Sequence, residues 1–134
     1  MGKITELVKS VLDIYGVNAS FLDGGMNCRY EFVSSIEGVL LRFQFDINEE
    51  MEFLVVKAFP YTKIDVPKLM SALPKINQYN AMNMFVKVQV DQDGELRFSI
   101  PVLGAGGTIS QKMVISAFVT TANTAKACIP QIVE

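Results

Sequence analysis

The stretch Val39-Leu40-Leu41-Arg42-Phe43-Gln44-Phe45-Asp46-Ile47 decides the fold. Successive side chains of a strand point to opposite faces, so Val39, Leu41, Phe43, Phe45 and Ile47 share one side and Leu40, Arg42, Gln44 and Asp46 the other. Such a strand lays one face on a core. Upstream, before a Glu37-Gly38 turn, Tyr30, Phe32 and Ile36 also fall on alternate positions. Downstream, Asn48-Glu49-Glu50 turns the chain into residues 51–59, which are apolar on both faces and read as a central, doubly covered strand. Three strands joined by short turns make an antiparallel meander.

Outward from the meander the period changes. Ile4, Leu7, Val8, Val11, Leu12 and Tyr15 follow helical spacing, with Gly16 as a stop, and residues 20–26, containing Asp23-Gly24-Gly25, read as a turn-rich connection. After the meander, Asp65 as N-cap and Pro67 in the first turn start a second helix that carries Val66, Leu69, Met70, Leu73 and Ile76 on one side. Pro74 is expected to kink or split it. Met84, Val86, Val88 and Val90 then alternate, as do Leu96, Phe98, Ile100 and Val102 past the Asp91-Gln92-Asp93-Gly94 turn, which predicts a hairpin with Val86, Val88, Phe98 and Ile100 facing the helices. A long last helix, with Thr108 and Gln111 at capping-box spacing, is expected to run to Pro130. The order is α-β-β-β-α-β-β-α, a single α+β domain spanning 1–134 with five mainly antiparallel strands and helices packed on them.

Composition narrows the function by exclusion. Half of the 134 residues are hydrophobic, enough for one generous core with apolar surface to spare. Twelve basic and fourteen acidic residues are well mixed, which leaves no electrostatic footprint for nucleic acid or an anionic membrane. No apolar run approaches the roughly 20 residues of a membrane span, and the N-terminus lacks a signal peptide's apolar stretch, so the expected location is cytoplasmic. Histidine is absent, which removes the commonest general base and the commonest transition-metal ligand. Cys28 and Cys128 stand a hundred residues apart with no second ligand nearby and read as free thiols. No catalytic residue, metal ligand or cofactor is expected.

Several motifs invite a sharper reading and lose to a plainer one. Asp91-Gln92-Asp93-Gly94-Glu95 opens like a calcium loop but lacks the later ligands, and a hairpin turn explains it. Asn77 and Asn80, on the apolar side of the second helix, are read as hydrogen-bonding backbone at the helix end. Glu49, Glu50 and Glu52 read as solvated charge at a turn. Gly104-Ala105-Gly106-Gly107 followed by Thr108 sits before a helix, where backbone N–H groups bind anions; Gly104, Gly106, Gly107 and Thr108 are therefore the candidate anion-binding residues, in the alternative reading of a small-molecule or anion-binding domain.

The last helix carries more apolar surface than one core stripe uses. Val114, Phe118, Ala122, Ala125 and Ile129 form that stripe. Ile115 and Val119 remain on one flank, and Ala117, Thr121, Thr124 and Cys128 form a small-residue flank open to close approach by another element. Ile115, Val119, Ala117 and Thr121 are the candidate protein-binding residues.

The element order, and the run Ile76-Asn77-Gln78-Tyr79-Asn80 leading to Phe85, Val88, Val90 and the Asp93-Gly94-Glu95-Leu96 turn, resemble the YbjN family of small bacterial domains. The resemblance spans nearly the whole chain. It implies a type III secretion chaperone-like fold, whose members are non-enzymatic dimers that hold extended segments of client proteins. The net charge of −2 departs from a typical secretion chaperone and argues against a direct secretion role. The expectation is a protein-binding module, chaperone-like or regulatory, acting as a homodimer on another protein.

Overall fold

The structure, a computed structural model, describes residues 2–61, 63–83, 85–104 and 108–133. Helix α1, Lys3–Ile14, buries Ile4, Thr5, Val8, Val11 and Leu12 on one stripe, as its spacing requires. Its first turn is capped from a distance: the Glu49 carboxylate accepts hydrogen bonds from Ile4 N at 3.1 Å, Thr5 N at 2.7 Å and Thr5 Oγ1 at 2.7 Å. Glu49 is thus no idle turn charge but the anion that a helix N-terminus attracts.

Among the described residues six strands, not five, form one antiparallel sheet: β1 Ser20–Gly24, β2 Asn27–Ile36, β3 Val39–Asn48, β4 Phe53–Pro60, β5 Lys87–Val90 and β6 Leu96–Leu103, in the spatial order β1-β2-β3-β4-β6-β5. The extra strand is β1, in the segment read as a connection. Every residue of β1 is exposed, so no alternation betrays it; pairing with β2 across the Gly25-Met26 turn, with Gly25 at φ +81, makes it a strand. β4 starts at Phe53 because Glu52, at φ +55, closes the preceding turn. Only one of its faces is fully covered: Leu54, Val56 and Ala58 are buried, and Phe53, Val55 and Lys57 half-buried.

The hairpin of β5 and β6 pairs as expected, with Val86, Val88, Leu96 and Phe98 buried and Ile100 half-buried. Met84 lies outside the described residues. Its turn is held by Asp91, whose side chain accepts from Asp93 N and Glu95 N, both at 2.9 Å. Gly94 is required there twice over, by its φ of +84 and because a Cβ would meet the Ile64 carbonyl oxygen.

A 3-10 turn, Val66–Lys68, leads into α2, Leu69–Met82. Asp65 serves through its backbone carbonyl, which accepts from Lys68 N, rather than as a side-chain N-cap. Pro74 does not split the helix; it is exposed in the second turn. Only Ala72 and Ile76 are buried, while Met70 and Leu73 face solvent. α2 lies beside the end strand β5, where a narrow stripe is all there is to cover.

Helix α3, Gln111–Val133, continues through Pro130 and packs across β4 and β6, with α1 alongside. Its cap is Ser110, whose Oγ accepts from Met113 N at 3.2 Å, so Thr108 lies before the helix and not at its cap. Val114, Phe118, Ala122 and Ala125 are buried. Phe118 stands edge-on to Tyr15, Phe32, Phe43 and Phe45, with ring centroids 5.1–5.9 Å apart, and is the centre of the core. No helix among the described residues is long and apolar enough to cross a membrane.

Candidate functional site

With the helices on one face, the other face of the sheet is open, and the register orders its side chains in rows. Leu22, Arg29, Asp46, Val55 and Pro101 form one row across five strands. Asn27, Asn48, Phe53 and Leu103 lie on one side of it, and Glu31, Gln44, Lys57 and Ser99 on the other. The middle of this face is polar and satisfies itself. Asp46 accepts from Arg29 Nε and pairs with Lys57 Nζ at 2.6 Å; Gln44 Nε2 donates to Glu31 at 2.8 Å, and Asn48 Nδ2 to Asn27 Oδ1 at 2.9 Å. Burial works to raise the Asp46 pKa, but the hydrogen bonds and charges of Arg29 and Lys57 outweigh it and hold the carboxyl below its ordinary value. Farther along, Arg42 covers the Phe59 ring at 4.6 Å and lies between Glu31 and Glu95.

Apolar groups flank this polar middle. Phe53 and Val55 are half-buried, Pro101 is exposed, and Leu103 is 60% exposed at the β4–β6 side; Leu22, 55% exposed, stands at the β1 side. Between them lies a concavity of about 520 Å³ lined in part by Leu22, Asp23, Arg29, Asp46, Phe53 and Val55. Apolar anchors around paired polar groups are the makings of a protein contact surface. Among the described residues no group of three His, Cys, Asp or Glu side chains converges to hold a metal ion.

The residues singled out in the sequence fare unevenly. Ala117 and Thr121 are buried, the Thr121 hydroxyl donating to Ala117 O at 2.7 Å, and are not available to a partner. The small-residue flank does admit a neighbouring helix, but that helix is this chain's own α2, whose Tyr79 lies against Thr124 and Cys128. Burial pushes the Tyr79 hydroxyl and the Cys128 thiol up from their ordinary pKa values. Ile115 is half-buried, and Val119, 38% exposed, stands beside polar Ser116, Thr120 and Asn123. Gly104 donates its N–H to Glu52 O, Thr108 is exposed three residues ahead of α3, and Gly106 and Gly107 lie outside the described residues.

Asn80 bonds to a strand rather than to its own helix end. Its amide accepts from Val88 N at 2.8 Å and donates to Val88 O at 2.7 Å, on the outer edge of β5. Asn83, which sequence reading passed over, accepts from Val86 N at 3.1 Å just before that strand. Asn77 is exposed. The spacing of Asn80 and Asn83 ahead of a hairpin was the available signal, but nothing in one sequence shows that the helix returns along the strand.

The fold of this α+β domain is YbjN-like. A chain of the crystal structure of the ExsC–ExsE complex matches with a TM-score of 0.68 over 98% of this chain and 97% of that one, at 11% identity. YbjN, a candidate transcription regulator from E. coli, matches with a TM-score of 0.58 over 92% of this chain and 91% of its own, at 15% identity. No protein-family model matches the chain, and no curated protein matches it in sequence.

Proposed function

We propose that this domain is a non-enzymatic protein-binding module, chaperone-like or regulatory, which acts in the cytoplasm as a homodimer and docks its partner on the open sheet face. The observation that carries the reading is the face itself: a row of self-satisfied polar groups between Leu22 at one side and Phe53, Val55, Pro101 and Leu103 at the other. The Arg29, Asp46 and Lys57 charges at its centre are already paired and so cost less to cover than isolated charges would, and its flanks carry apolar anchors. That a domain of this fold occurs in a complex, ExsC with ExsE, agrees with the reading. Of the helix residues first considered, Val119 and Ile115 contribute at most a small secondary contact.

The test is affinity capture from the source cell with two baits, the parent and a Val55→Lys, Leu103→Lys double variant. Both positions are outside the buried core, so the variant keeps its melting temperature. A protein held by the parent and lost by the variant supports the face; a partner held equally by both moves the site elsewhere.

A further inference from the structure

The two edges of the sheet are built differently. An edge strand offers unpaired N–H and C=O groups to any other strand, and proteins block such edges. At β5 the outward groups of Val88 are both taken by Asn80, and Val86 N by Asn83. Among the described residues no side chain takes the outward groups of β1 in this way. The Gly25-Met26 turn is a two-residue loop, so Gly24 and Asn27 exchange backbone hydrogen bonds, as do Leu22 with Arg29 and Ser20 with Glu31. The alternation leaves the N–H and C=O groups of Phe21 and Asp23 pointing away from the sheet. β1 carries no proline or lysine, and all five of its residues are exposed.

We infer that β1 pairs with β1 of a second copy of this chain, antiparallel about a two-fold axis at Leu22, so that two six-stranded sheets become one. The occupant follows from the strand's self-complementarity. The register that overlaps all of Ser20–Gly24 sets Phe21 opposite Asp23 of the second copy and Leu22 opposite Leu22, with Ser20 opposite Gly24. Four backbone hydrogen bonds form at Phe21 and Asp23, no like charges stand opposed, and the apolar Leu22 pair closes on the open face at the short non-hydrogen-bonded spacing. A register centred on Asp23 would oppose two carboxylates and is disfavoured. Because the axis stands across the sheet, the helices of both copies stay on one side and the two open faces join. A strand pair this short gives a weak association, in a concentration-dependent equilibrium.

The inference gives a geometry to the homodimer proposed above; it shares Leu22 with the open face, and its test reads self-association alone, with no partner present. Sedimentation velocity of the full chain is the test, with Leu22→Lys and Leu22→Glu. The site is 55% exposed, so both variants fold. In this register each places a charge against its own copy, so each alone is monomeric where the parent dimerises. Mixed in equal amounts, the two variants oppose Lys to Glu and dimerise again. A parent that dimerises while either variant alone does so equally, or while the mixture stays monomeric, overturns the β1 register and places the two-fold elsewhere. A parent that is monomeric at every accessible concentration overturns the dimer itself and leaves partner docking standing.

Discussion

At the scale of single residues, the least legible group was Glu49. In the sequence it is one of three acidic residues at a turn; in the structure it holds the start of a helix 44 positions earlier in the chain. Charge and turn position were readable, but the partner was not, because Gly2 at the helix start offers no capping side chain and nothing local names a substitute. Burial raises the Glu49 pKa, and the bonds from Thr5 and Ile4 outweigh it, so the net shift is downward. A carboxyl with a depressed folded pKa stabilises above its unfolded value and loses that contribution as pH falls through the folded one. We expect Glu49→Ala to cost about 1–2 kcal/mol at pH 7, and the gap from the parent to close below about pH 4. Urea unfolding of both proteins at pH 7 and pH 3 measures this. A gap that is unchanged at pH 3 means that the carboxylate charge is not what caps α1.

At the scale of elements, periodicity read what lies against the core and failed where an element is exposed on all sides or covered by a late neighbour. The polar half of the β3 alternation, Arg42, Gln44 and Asp46, was legible as a surface, yet that this surface stays uncovered depends on all three helices choosing the other face. α2 was misread for the same reason: Met70 and Leu73 sit on its apolar side, but the edge of the sheet offers them nothing to pack on. Two substitutions test the core assignment. Val88→Asp places a charge at a fully buried position and should cost about 3–5 kcal/mol; a variant that melts like the parent would show that β5 faces the other way. On α3, Phe118→Glu should unfold the domain or lower its melting temperature sharply, since it removes the ring at the centre of four others, whereas Val119→Glu should leave it nearly unchanged. Equal melting of the two variants would mean that the helix is rotated from its described position.

At the scale of the whole molecule, the sheet has one end guarded at Val86 and Val88 and one end without such a guard among the described residues, and amide exchange can read that difference directly. Val88 N–H has no strand beside it; its protection comes from the Asn80 side chain, whose own helix is held through buried Ala72 and Ile76. Lys87 and Gln89 instead face β6 and owe their protection to the ladder. In dilute solution the amides of Val88, Lys87 and Gln89 should therefore all exchange slowly, and those of Phe21 and Asp23 quickly. Asn80→Ala separates the two causes of protection at β5. It removes the donor and the acceptor that meet Val88, so Val88 should lose protection, by about tenfold for each 1.4 kcal/mol that the bond contributes, while Lys87 and Gln89 keep theirs as long as the hairpin stays paired. If all three amides speed up together, Asn80 is holding the hairpin in place rather than sealing its edge. If Val88 does not change, the edge is protected by the bulk of α2 and the asymmetry of the sheet has another cause.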